Sequence, residues 1–517
     1  MLGFGFGFGQ RHSRRGDFQA GHLSVADEIS QHGVNFAFSQ DRPVGQYANG
    51  DYWVVGPVTI GSITPAGSTQ TIGSDGNSAA IIDRVINGTV INPGNRNHKT
   101  DGLTQDNTGV VSTATQGWDS ITSGGGIPFV AYDADMNVDP GKTGSSLDVT
   151  SGSVVKFVSQ LSGLPAQNRP AGLDMVVLTV VDAAPAAGAI RPGISRADKT
   201  SLVNVSQFDL SVFNDFAPTP NAPSFAEALD WIDRVIETSL PDSINNPTAK
   251  AINNHPEYGR EIGNNLHRAL LALHLDFTAE QKRTLLSHLA ALADDLVARC
   301  EEGGITPDDG GGNQWKKASV AVCAAALGAN APASWLTYLS AANNDRWSED
   351  RQIFNVSPFD VVLPRYTADG RPRSPYQLHM LRSGEWGSRP TVNVNYGGSN
   401  WDAFYRDIVA GQLLGGTLAV ELTTGARALW DNDAFWRYMD TAWHRRDEFS
   451  AGNDTLPFVE EMLVAHRPAK TAVPAILEAG LRDDAIWIRF DQALDDQVTA
   501  PATGDFVVNV NGSPVTV

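Results

Sequence analysis

The spacing of apolar residues changes twice along this chain, and those two changes constrain its fold more than any single motif. Before Phe216 the apolar residues come in short runs, such as Tyr52–Ile60, Ala79–Ile91, Val154–Val158 and Met175–Val181. Clusters of Gly, Pro, Asn, Asp and Ser separate these runs, which is the pattern of strands and turns. The stretch DYWVVGPVTI is apolar on both faces, as expected of a strand between two layers. After the sequence DFAPTPNAP the spacing becomes helical. Ser224 and Glu227 are placed to form a capping box, and Phe225, Leu229, Ile232 and Ile236 mark one face. Further helices are predicted over Arg260–Leu273, Ala279–Glu302, Lys316–Leu327, Trp401–Thr423 and Ala434–Trp443. From Pro474 the spacing returns to that of strands. Ala485–Phe490 and Phe506–Val510 alternate, and Asn511-Gly512 is a hairpin turn before Val515–Val517.

A chain of 517 residues exceeds one compact core. The predicted class is therefore multidomain β plus α. A segment over 1–32 precedes a β-sandwich or jelly-roll-like domain over 33–215, a linker over 216–223 and an all-α domain over 224–470. Amphipathic helices joined by Gly-rich and aromatic-rich loops favour an α/α toroid over a compact bundle, and no fixed-period repeat suggests a solenoid. Residues 471–517 are too few to bury a sandwich core, and read as the start of an Ig-like module that more chain or a neighbouring copy completes.

The net charge of -20 argues against nucleic acid as a partner, since phosphate binding needs clustered Lys and Arg. No stretch approaches the ~20 apolar residues of a membrane span. The start, MLGFGFGFG followed by Arg11, Arg14 and Arg15, reverses the order of a secretory signal, and its alternating glycines oppose a helix. Cys300 and Cys323 lie in predicted helices and read as buried thiols. With no CxxC or Cys/His cluster, neither zinc nor another tightly bound transition metal is expected.

Three sets of residues carry candidate chemistry. In the first, Asn254 or Arg260 could neutralise a uronate carboxylate, while His255 and Tyr258 act as base and acid in a β-elimination. The same residues also read as a plain helix entry. In the second, Asp308 and Asp309 precede three glycines that let a backbone approach a sugar. Hydrolysis would need an opposed carboxyl such as Glu257, Glu385 or Asp350. This segment leaves room for a structural calcium, though it lacks the EF-hand ligand spacing, and it also reads as a flexible connection. The third set, Trp386, Arg389, Tyr396, Trp401, Tyr405 and Arg406, has the composition of a glycan cleft, with rings to stack on sugars and guanidinium groups to reach carboxylates. Aromatic residues in such loops can equally plug the end of a helical ring. His267, His274 and His288 fall at surface or packing positions of helices, and Trp436, Tyr438, Trp443 and His444 at core positions.

Several stretches resemble known families. IWIRFDQALDDQVTAPATGDFVVNVNGSPVTV resembles the start of an Ig-like repeat of the SwmB type, found in long bacterial surface proteins. HPEYGREIGNNLHRALLAL, EEGGITPDDGGGNQWKKASVAV, SGEWGSRPTVNVNYGGSNWDAFYRD and LPFVEEMLVAHRP resemble α/α-toroid domains of marine bacterial and phage proteins. Asn253-Asn254-His255 is similar to the tripeptide of toroid polysaccharide lyases of the alginate lyase type, although Pro256 and Glu257 here intervene before Tyr258. The Gly/Phe-rich start resembles N-termini of tail proteins in phages of marine alphaproteobacteria. These resemblances imply a host-facing bacteriophage tail component, fibre or tip, that contacts host surface polysaccharide. It would join other tail proteins through residues 1–16 and assemble as a homo-oligomer, a trimer among the options. A location on the virion also reconciles an exterior-type body with the absent export signal. A toroid lyase or glycoside hydrolase of acidic glycan, and a bacterial surface adhesin, are the alternative expectations.

Overall fold

A computed structural model describes residues 23–72, 82–93, 115–118, 131–160, 171–237, 248–250, 260–304, 314–351, 403–444, 456–467, 476–482, 485–490, 507–510 and 513–516. It has a sheet region at the N-terminal side and a helical region in the middle and C-terminal part.

The strands before the helices are β1 (Ser24–Gln31), β2 (Val34–Gln46), β3 (Tyr52–Val55), β4 (Val58–Thr64), β5 (Ser68–Ile72), β6 (Ile82–Ile86), β7 (Thr89–Ile91), β8 (Thr115–Gln116), β9 (Ala131–Tyr132), β10 (Leu147–Val149), β11 (Gly152–Gln160) and β12 (Ala171–Val181). Eight of them form one sheet in the order β10-β4-β2-β3-β12-β11-β7, with β1 also on β2. β3 and β12 pair in parallel and their neighbours pair antiparallel. Strands from both ends of this order share one core: Val149 of β10 and Ile60 of β4 are buried with Val154 of β11 and Leu178 of β12. The sheet therefore rolls around that face. On its opposite face Val90, Val155, Phe157 and Val177 bury Trp118 and Ile194. β1 lies inside the segment 1–32 that the sequence sets apart, and its pairing with β2 makes residues 24–31 part of the sheet.

The helices are α1 (Pro140–Thr143), α2 (Phe225–Ile232), α3 (Arg260–Ala272), α4 (Ala279–Glu301), α5 (Lys316–Leu327), α6 (Ala333–Leu339), α7 (Ser348–Arg351), α8 (Ala403–Leu422), α9 (Ala426–Leu429), α10 (Asp433–His444) and α11 (Pro457–His466). α2 begins with the predicted capping box between Ser224 and Glu227. It stops at Ile232, however, because Arg234 takes a left-handed φ of 57° that no α-helix can continue through. Ile236, expected on the helix face, instead lies in the short strand β13 (Val235–Glu237), which pairs with β14 (Thr248–Lys250). Two C-terminal hairpins follow: β15 (Ile476–Arg482) with β16 (Ala485–Phe490), and β17 (Val507–Val510) with β18 (Ser513–Thr516). Val510 pairs with Ser513 at the end of the β17–β18 ladder.

The stretch 182–215, read from sequence as part of the β domain, is irregular, with short 3-10 turns and an isolated bridge between Ala189 and Asn204. Its early part straps the sheet region to the middle of α4. Arg191 places both terminal nitrogens on Asp295, at 2.9 and 2.8 Å, and its Nε on Asp51, which follows β2, at 2.7 Å. The backbone N–H groups of Gly193 and Ile194 donate to Asp294 and Asp295. Arg196 and the Trp335 indole donate to Asp294 as well. Two adjacent carboxylates in the middle of a helix are thus almost completely enclosed, which is tolerable only because so many donors meet them.

Candidate functional site

Every residue of α5 is buried, so it is a central helix rather than a surface one. α3 and α8 pack beside it and run in the same direction as each other. His267 of α3 sits against Gly415 and Gly416 of α8, and just past the end of α3 His274 meets Thr423 at 3.1 Å. The glycines make this approach possible, since a methyl group at Gly416 would lie 2.6 Å from His267 Nε2. α5 follows the same direction: Ala318 faces Gly416, and one irregular segment holds the far ends of all three helices. Along that segment Asp209 N–H donates to Ala326 O, Thr424 N–H donates to Val212 O, and Asn214 and Phe216 bond His274. The starts of α3, α5 and α8 therefore share the opposite end, and Gly263 in the first turn of α3 touches the Trp315 indole that precedes α5.

Each candidate set singled out in the sequence leads into one of these three helices. Arg260 is the first residue of α3 and is half-buried. Tyr405 and Arg406 lie in the first turn of α8, with their side chains outside the described residues. Asn254, His255, Tyr258, Asp308, Asp309, Trp386, Arg389, Tyr396 and Trp401 lie outside the described residues. The same topology thus brings the helix starts next to these sets to one end of the bundle.

The side chains described at that end form an ionic cluster that the sequence reading did not assemble. Lys317 Nζ lies 2.5 Å from Asp350 Oδ2 and 2.7 Å from Asn344 Oδ1. The other Asp350 oxygen accepts from the Trp430 indole and from Asn432, both at 2.8 Å. Glu349 accepts the Lys317 backbone N–H at 2.6 Å and so occupies the start of α5 in place of an N-cap side chain. Burial pushes the Glu349 carboxyl up to about 7, against the pull of its backbone donors. Burial likewise lowers the Lys317 ammonium, with Asp350 opposing it.

The chemistry open to this cluster is limited by its enclosure. Asp350, considered as an opposed carboxyl for Asp308 and Asp309, is saturated by two neutral donors and a cation, which leaves it no role as a free base. Glu349 has the proton affinity of a general acid, but at 0% exposure it is part of the foundation on which the helix starts rest. Lys316, also fully buried, lies over the Trp315 ring. One signal in the sequence could have revealed the cluster: two lysines opening an otherwise apolar helix, and the pair Glu349-Asp350 just beyond Trp347-Ser348.

The other sequence candidates have structural roles. His267 and His274 are buried, and burial lowers them to about 4 and about 3. Cys300 and Cys323 are buried free thiols. Trp436 and Tyr438 belong to the helical core. A separate cavity of about 420 Å³ is lined by Val181–Ala186, Ala189, Asp198–Asn204 and Gln207, none of which belongs to the candidate sets. Lys199 on its wall is lowered to about 7, chiefly by burial and then by Arg191. Among the described residues no group of three or more His, Cys, Asp or Glu could hold a metal ion. No described helix is long and apolar enough to cross a membrane. Comparisons with protein-family models, with curated proteins and with solved structures gave no match.

Proposed function

We propose that this chain is a host-facing component of a bacteriophage tail, and that its helical region is an α/α toroid that binds an acidic surface glycan at the end where α3, α5 and α8 begin. The observation that carries this reading is the common direction of those helices. Three parallel helix starts put the positive ends of three dipoles on one side, that of α5 already met by Glu349, and such a field favours carboxylates. That local field is how a chain with a net charge of -20 can take an anionic polymer. Trp401, Tyr405, Arg389 and Arg406, in the sequence that leads into and opens α8, are the residues we assign to stacking and to guanidinium contacts. The two C-terminal strand pairs fit the strand pattern of an Ig-like module.

Affinity electrophoresis of the whole protein through alginate or another polyuronate tests the binding. Retardation is expected, weakening as salt rises, because exposed ionic contacts are screened. Trp401→Ala and Arg406→Ala should each reduce it. Migration that no envelope polysaccharide alters would overturn the glycan reading. The release of ultraviolet-absorbing unsaturated ends would instead move the assignment to a lyase.

A further inference from the structure

We propose that Lys156 and Asp139 react with each other to form an intramolecular isopeptide bond inside the sheet region. Both side chains are fully enclosed, and Lys156 Nζ lies 2.5 Å from Asp139 Oδ2. Lys156 stands on β11 between Val154 and Val158, on the face that points into the rolled core, and its register partner on β7 is Thr89. A charged pair in such a place carries a large desolvation cost, and an amide there would carry no charge at all.

The surroundings of Asp139 have the parts that amide formation needs. Oδ1 accepts two backbone N–H groups, from Gly67 at 2.8 Å and from Gly141 at 2.9 Å. This is the arrangement that stabilises an oxyanion. Gly67 is required for it, because a Cβ there would meet the Asp139 carboxyl carbon at 2.8 Å. Oδ2 accepts the Thr89 hydroxyl at 2.6 Å, on the side of the lysine. Lys156 Nζ also donates to the Asn87 carbonyl at 2.5 Å, which fixes the direction of its remaining hydrogens. Burial lowers the lysine, with Asp139 opposing, so the neutral nucleophilic amine is within reach.

The reaction balances without any other reagent. The ammonium passes one proton to Oδ2, and the nitrogen lone pair attacks the carboxyl carbon. The C–N bond forms as the carbonyl electron pair moves to Oδ1, where the Gly67 and Gly141 N–H groups hold it. When that pair returns, the bond from carbon to Oδ2 breaks. The departing hydroxyl takes a second proton from nitrogen, with the Thr89 hydroxyl beside it as relay, and leaves as water. The last hydrogen on nitrogen stays as the amide N–H and donates to Asn87 O. One ammonium and one carboxylate become one amide and one water.

Mass spectrometry of the full-length protein under denaturing conditions, followed by peptide mapping, tests this. The expected result is a mass lower by one water than the sequence requires, and a branched peptide joining Lys156 to Asp139. Lys156→Met and Asp139→Ala should each restore the full sequence mass, while Asp139→Asn should lose ammonia in place of water. Should those variants fail to fold, the unaltered protein still decides the matter. Recovery of separate, unmodified peptides carrying Lys156 and Asp139 would overturn the proposal, as would water lost without a link between them.

Discussion

His267 shows how much one side chain can set in this molecule. Its ring fills the space left by Gly415 and Gly416, so it fixes how closely α3 and α8 approach, and it is 2% exposed. Burial holds it near 4, while an unfolded histidine titrates at about 6.5. The unfolded chain therefore binds the proton first as pH falls. The stability His267 contributes is complete above about pH 6.5 and is lost toward pH 4, at about 1.4 kcal/mol per unit. Denaturant unfolding followed between about pH 7 and pH 4.5 should show that slope, and His267→Asn should flatten it by about that amount. An equal slope in the variant would mean that other groups carry the acid sensitivity. Nothing in the local sequence NNLHRAL marks this histidine as a spacer, because its partners lie near residue 415 on another helix.

At the scale of elements, the helices were largely legible where apolar period and breaker residues agree. α5 spans Lys316–Leu327 as its sequence suggests, closed by Gly328. β16 likewise matches its alternation over Ala485–Phe490. Reading failed where a tertiary contact overrides local pattern. α2 stops at Ile232 with no Gly or Pro to announce it, since Arg234 turns to reach Asp174. By sequence the stretch 182–215 groups with the β domain, but its hydrogen bonds run within itself, as from Ile190 to Val203, and to α4, as from Gly193 and Ile194, with no continuous ladder to a neighbouring strand. The candidate site was legible only as three separate sets, since helix direction is not written in any one of them. The ionic cluster beneath it yields a prediction. Lys317→Met leaves the Asp350 charge buried without its cation and is expected to cost about 3–5 kcal/mol of unfolding free energy. Adding Asp350→Asn, which keeps an acceptor for Trp430 and Asn432, should recover more than half of that in urea titrations. No recovery would show that the cost lies in lost packing of the lysine stem.

At the scale of the whole molecule, two predictions concern assembly and coupling. The Gly/Phe-rich start has little side-chain variety with which to pack alone and much backbone entropy to lose. Deletion of residues 1–16 is expected to leave a folded, soluble protein that no longer enters phage particles, measured by mass spectrometry of purified virions. Normal incorporation of the truncated chain would remove that segment from the docking role. The second prediction follows from Arg191, which touches Asp51 on the sheet side and Asp295 on α4. Arg191→Met should leave both carboxylates without their cation and convert one thermal transition into two, seen by calorimetry. A single transition at the original midpoint would show that the strap's backbone contacts suffice.

The strap also bears on how this architecture can be recombined. The sequence suggests a breakpoint at residues 216–223, yet Phe216 pairs with Leu275 and Asn221 bonds Glu461, so that stretch already belongs to the helical side. Upstream of it, Arg191, Gly193 and Arg196 fit only a helix that carries two consecutive aspartates facing them. A chimera that grafts a foreign helical module after residue 216 would leave Arg191 facing whatever residues replace Asp294 and Asp295. Exchange between relatives of this chain would therefore have to move the strap and the Asp294-Asp295 pair together. A donor module lacking that pair of acids would be incompatible whatever its overall shape.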